Sequence, residues 1–220
     1  VISWFKLPEK HRPRLIMLYF SEPDHTGHNV GTSHPDIHAT VEDMDSLLGY
    51  LMESLEKLEI YDKLNIFVLS DHGMADVSSE RLIVLDDYIS RMGDIYINGS
   101  GSHVQFDFKK DQEKYAEAFL EELKGISHCQ SWKKDEIPER FHFVNGNTGD
   151  YLLLANEGWF ITTKSNLKEN AFSLAGMHGY DPQLINMHGI FYAMGPQIRH
   201  GLKMEPFENI HIYPFICELL

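Results

Sequence analysis

The chain has 220 residues, 43% of them hydrophobic and 12% aromatic, with a mean hydropathy of −0.30, enough to bury a core as one domain or a large part of one. Its formal net charge of −14 argues against a protein that grips a nucleic-acid backbone by counterion release, although bound metal ions reverse the local field and leave a small phosphorylated substrate open. No window approaches the roughly 18 consecutive apolar residues of a membrane span.

The opening "VISWFKLPEKHRPRLIMLYF" has no initiator Met and no signal-type apolar region, and it reads as the start of an excised piece of a longer polypeptide. Within it, residues 12–20 read as a buried strand, and residues 21–36, "SEPDHTGHNVGTSHPD", as a polar loop. A long helix follows, since Ile37, Val41, Met44, Leu48, Leu51, Leu55 and Leu58 recur at alternating spacings of four and three. Residues 65–70, "NIFVLS", form a second strand. Strand, helix, strand is a βαβ unit, which predicts a parallel sheet with both polar loops at one sheet edge.

The middle of the chain differs. Residues 94–108 read as a hairpin about "NGSG", 111–125 as an amphipathic helix, and 150–163 as two strands around Asn156–Gly158. Residues 188–196 return as a core strand, and 208–220 close with a helix broken near Pro214. The expected organisation is α/β: residues 1–93 and 164–220 build a mostly parallel central sheet flanked by helices, and 94–163 form a smaller α+β insertion lobe. Cys129 and Cys217 fit one disulfide or two buried free thiols, the second being preferred.

Several groups stand where they could carry chemistry. Asp24 and His28, four residues apart in "EPDHTGH", share a face if that segment makes a helical turn, so a carboxylate and an imidazole could reach one ion. Asp71 and His72 end a strand in "LSDHGM"; a tight turn at Gly73 could direct both inward, and the alternative is a capping Asp beside a partly exposed His. His178, in "GMHGYD", is preferred to His188 because glycines flank it. Tyr180 and Asp181 could orient its ring by a hydrogen bond. Two carboxylates and three imidazoles without cysteine favour zinc or another first-row ion over calcium or magnesium. Five ligands exceed one tetrahedral catalytic zinc, which suggests a pair of ions of the kind used on phosphate esters. The Asn98-Gly99-Ser100 sequon reads as a hairpin turn, and His103, His128, His142, His200 and His211 as histidines without a catalytic role.

The motifs "EPDHTGH", "LSDHGM" and "HGYD", in this order, resemble the catalytic domain of the nucleotide pyrophosphatase/phosphodiesterase family (type I phosphodiesterases) of the alkaline phosphatase superfamily. The likeness extends to "EIPERFHF", "NEGWFI" and "MHGIFYAMGP". It implies an alkaline-phosphatase-like fold and hydrolysis of phosphodiester or pyrophosphate bonds with two zinc ions. Asp24, His28 and His178 would hold one ion, and Asp71 and His72 would contribute to the other. The family's nucleophilic threonine lies upstream of the first motif, so the chain matches the C-terminal part of the catalytic domain and is expected to be nearly inactive alone. The implied partner is a small phosphodiester or nucleotide, with no nucleic-acid polymer, and a periplasmic or extracellular setting is suggested by the resemblance alone. Other chemistries of the superfamily (phosphomonoesterase, phosphomutase, choline-phosphodiester hydrolase) and a non-catalytic binding homologue are the alternatives.

Overall fold

The computed structural model describes residues 1–169 and 172–220. In chain order its helices are α1 (Ile2–Phe5), α2 (Asp24–Val30), α3 (Pro35–Glu56), α4 (Ala116–Lys124), α5 (Lys164–Glu169) and α6 (Ile212–Leu219). Its strands are β1 (Ile66–Leu69), β2 (Ala75–Asp76), β3 (Leu82–Val84), β4 (Ile95–Asn98), β5 (His103–Phe108), β6 (Cys129–Lys133), β7 (Tyr151–Ala155), β8 (Phe160–Thr162), β9 (Gly176–Met177) and β10 (Phe191–Met194). The described residues divide into two compact units, one made of residues 1–23, 38–71 and 189–220, the other of 24–37 and 72–188. Residues 94–163 therefore lie in one unit together with 72–93 and 164–188.

The first unit holds most of α3, with Pro35 as the helix's opening residue, where a missing N–H costs nothing. Leu55 is its buried anchor, while Met44, Leu48 and Leu51 of the expected stripe are half-buried. β1 pairs antiparallel with β10, from Ile66↔Met194 to Leu69↔Phe191. Phe67 meets Phe191 across this ladder and the edge of Phe215 from α6. The C-terminal helix is not broken: Pro214 is the third residue of α6, inside the first turn, so no helical hydrogen bond is lost. Residues 12–20 form no strand, contrary to the expected βαβ unit, and Met17 and Tyr19 are 84% and 80% exposed. An apolar run supplies the side chains of a strand, but the strand itself requires a neighbour's N–H and C=O groups.

The second unit contains the extensive core. A four-stranded antiparallel sheet in the order β4-β5-β7-β6 carries the expected hairpin, with Ile95↔Phe108 and Asn98↔Gln105 at its ends. β7 is buried at all five positions. Phe119 and Leu123 of α4 are buried too, and the Phe119 ring meets Phe106, Phe108 and Tyr151 edge-on, a preferred aromatic geometry. The two strands expected around Asn156–Gly158 are present as β7 and β8, but they join different sheets. β8 pairs with β3 in parallel, the parallel pairing among the described residues, and β9 pairs with β2 in antiparallel. Strands β2, β3 and β9 span only two or three residues, too short for any alternation to register in the sequence.

Both cysteines are free thiols. Cys217 is exposed rather than buried as expected. Cys129 is half-buried, donates to the Ile126 carbonyl at 3.4 Å, and has its thiol pushed up to about 11 by burial.

Candidate metal centre

The segment expected as a loop at 24–30 is the helix α2, and Asp24 and His28 project from one face of it. The helix lies against β9 with little space between backbones. A Cβ on Gly176 would sit 2.4 Å from the Gly27 carbonyl oxygen, so no larger residue fits there without moving the helix. Through this close approach His28 Nδ1 reaches the Gly176 oxygen at 2.8 Å, while Ala175 N–H donates to the His28 carbonyl. A carbonyl only accepts. The proton of the neutral His28 ring is therefore on Nδ1, and Nε2 is the unprotonated nitrogen.

His28 Nε2 lies 3.4 Å from Asp24 Oδ1, and His178 Nε2 lies 3.6 Å from the same oxygen. Asp24 Oδ1 is buried and has no hydrogen-bond partner. One donor atom from each of the three residues falls within 4.8 Å of the others. Donor atoms roughly 3.3 Å apart are what a tetrahedral ion about 2.0 Å from each would produce. An acceptor nitrogen aimed at a buried, unsatisfied carboxylate oxygen is costly without a cation. The three residues thus fit a metal ion, and a two-nitrogen, one-oxygen set suits zinc.

His72 is half-buried and stacks on His178, with centroids 3.5 Å apart and planes within 10°. Its Nδ1 donates to the Gly73 carbonyl at 2.9 Å, which leaves Nε2 as the acceptor end of the ring. The structure thus brings Asp24, His28, His72 and His178 together in the second unit. Asp71 is exposed and is the last residue of that stretch of the first unit. His188 is exposed and contacts the Pro182 carbonyl.

Tyr180 and Asp181 bond through their side-chain polar atoms to groups other than the His178 ring. The Tyr180 hydroxyl donates to the Trp159 carbonyl at 2.9 Å, and Asp181 accepts both guanidinium arms of Arg140 at 2.6 and 2.5 Å. Arg140 holds the Asp181 carboxyl below its ordinary 3.8, while burial pushes the Tyr180 hydroxyl up. Sequence reasoning missed Arg140 and the close contact that Gly176 makes with Gly27. The glycines flanking His178 were visible, but Gly176 is required for a close approach rather than for freedom around the histidine. A polar pocket of about 420 Å³ in the same unit, lined by Asp76, Arg81, Glu157 and Asn186 among others, contains none of the metal donors.

Fold and site together define an α/β protein of the alkaline-phosphatase-like kind. Residues 1–181 match the family described as type I phosphodiesterase / nucleotide pyrophosphatase. The chain belongs to that family. It is 35% identical over its whole length to human ectonucleotide pyrophosphatase/phosphodiesterase family member 5, covering 44% of that protein. It is 32% identical, again over its whole length, to bis(5'-adenosyl)-triphosphatase enpp4 of Xenopus laevis, covering 47% of it. The solved structure of the human family member 5 superposes with a TM-score of 0.88 at 34% identity, over 99% of this chain and 56% of that one. An inactive murine form of that protein, solved in complex with AMP, gives 0.87 at 33% identity over the same shares of the two chains. The chain thus spans less than half the length of these curated relatives.

Proposed function

We propose that this chain is the metal-binding part of a two-zinc phosphodiesterase or nucleotide pyrophosphatase acting on a small phosphodiester or nucleotide. The observation that carries the reading is the buried, unpartnered Asp24 Oδ1 facing the Nε2 atoms of His28 and His178. Asp24, His28 and His178 hold one ion. The family resemblance, rather than geometry, assigns Asp71 and His72 to the second. Zinc in such a pair supplies Lewis-acid stabilisation of phosphoryl and leaving oxygens and lowers the pKa of water.

The chain's own residues prepare that chemistry. The Gly176 carbonyl fixes the His28 tautomer, so that Nε2 is presented as a ligand without a proton to expel. The stacked His72 ring covers one face of His178 and limits its rotation. The AMP complex of the murine relative supports a nucleotide as the substrate class. The reading includes a phospho-threonine intermediate, its threonine preceding the first motif.

The test compares hydrolysis of a nitrophenyl nucleotide diester with nitrophenyl phosphate, with zinc present. In a protein carrying the nucleophile the diester is the preferred substrate, and the 220-residue chain alone turns over little of either. Preference for the monoester would transfer the protein to a phosphomonoesterase reading. Robust diester turnover by this chain alone would place the nucleophile within it.

A further inference from the structure

His178 is not held by a regular element. β9 contributes two residues, Gly176 and Met177, and the next helical turn begins only at Ile185. Each residue between has two soft dihedrals, yet the ring must place Nε2 3.6 Å from Asp24 and lie 3.5 Å from His72. Upstream, β9 is tied to β2 and to His28. Downstream, three consecutive residues are each anchored to a different part of the same unit.

Gly179, at φ +83°, lies so close to the start of β5 that a Cβ would approach Ser102 Oγ to 2.7 Å, and His103 hydrogen-bonds its backbone. Tyr180, 4% exposed, reaches the Trp159 carbonyl beside β8. Asp181 takes the Arg140 fork and also accepts the Gln183 N–H at 3.0 Å. The first two anchors belong to the packed interior, where Ser102 is 1% exposed. The third does not. Arg140 sits on a short turn, Glu139–Phe141, with its guanidinium over the Phe141 ring, and neither it nor Asp181 belongs to the apolar core.

We infer that Arg140 is a positioning residue for the metal centre: through its bidentate bond to Asp181 it sets where His178 presents Nε2. This rests on the zinc reading of Asp24, His28 and His178. A planar fork on both carboxylate oxygens fixes direction as well as distance, which a lysine ammonium does not. Residues that orient a ligand in this way typically change metal affinity by about 10- to 100-fold when removed.

The test measures zinc affinity of the whole chain by competition with a chromogenic chelator, the visible spectrum of the cobalt(II)-loaded chain, and the Tm of the metal-free chain. The variants are Arg140→Ala, Arg140→Lys, Asp181→Asn and, as a reference, His178→Ala. Arg91→Ala is the control, since Arg91 makes an exposed bond to Asp94 at 2.8 Å elsewhere in the unit. Arg140→Ala and Asp181→Asn are expected to weaken zinc by about 10-fold or more and to alter the cobalt band. The metal-free Tm should stay close to that of Arg91→Ala. Arg140→Lys should recover only part of the affinity. Wild-type affinity in Arg140→Ala and Asp181→Asn, while His178→Ala loses zinc, overturns the inference and spares the zinc reading. An equal loss of affinity in Arg91→Ala also overturns it. Absence of His178-dependent zinc binding in the wild-type chain overturns the zinc reading itself.

Discussion

His72 lies flat against His178, ring centroids 3.5 Å apart, while His28 stands 5.0 Å from the same ring at a tilt of 51°. Three imidazoles from three separate segments thus gather beside one carboxylate. Stacking controls one face of His178 and leaves its edge toward Asp24. The arrangement is that of a site assembled by its surroundings, and changes to those surroundings should register in metal affinity.

Asp24→Asn should separate metal binding from stability. In the metal-free chain the buried Oδ1 carries charge without a hydrogen-bond donor. Neutralising it removes that cost, and because the side chain is 37% exposed the gain is expected to be at most about 1 kcal/mol. Thermal scans should give the D24N variant a metal-free Tm equal to or above wild type. Zinc should raise the wild-type Tm and leave that of D24N unmoved.

Gly176→Ala should damage the site through the backbone. The new methyl would stand 2.4 Å from the Gly27 carbonyl, so α2 must move away from β9 and the His28–Gly176 bond lengthens. Overpacking of this kind typically costs about 1–3 kcal/mol. A urea melt should report a lowered midpoint, and zinc affinity should fall together with it.

Acid should loosen the His178 loop by way of Asp181. Arg140 lowers this carboxyl below its ordinary 3.8 in the folded chain. A depressed acid contributes stability that is present above the unfolded value and is lost as pH falls through the folded one. The pair therefore contributes fully near neutrality and fades below pH 3.8. The Asp181→Asn variant lacks this contribution at every pH. The difference in Tm between wild type and this variant should be larger at about pH 6 than at about pH 3, and an equal difference at both would contradict the assignment.

The two thiols should be distinguishable by alkylation. Cys217 is exposed, whereas Cys129 is half-buried with its thiol pushed up to about 11, which leaves little thiolate near neutrality. Iodoacetamide at about pH 7.5, followed by peptide mass mapping, should modify Cys217 first, with Cys129 reacting fully only after denaturation.

Much of the site was legible in the chain because it depends on local geometry. Asp24 and His28 four residues apart need only one helical turn to share a face, even though the segment was expected to be a loop. The α3 stripe and the 94–108 hairpin were readable for the same reason, since helical period and turn chemistry are short-range. That residues 12–20 form no strand was not, because hydrophobicity does not supply a pairing partner. Nor were the Arg140–Asp181 fork and the Gly176 contact, which join residues with no common periodicity.

The sequence by itself determined which donor atoms the protein has, and that two of them occupy one helical face. Only the tertiary structure decided that His178 joins them, across the 148 residues that separate His28 from Gly176. It does so because β9 carries a glycine small enough for α2 to lie on it, and because the loop beyond is held at three successive residues. Metal ligation needs donors placed to within fractions of an ångström, and over such a separation that placement comes from packing and hydrogen bonds rather than from spacing along the chain.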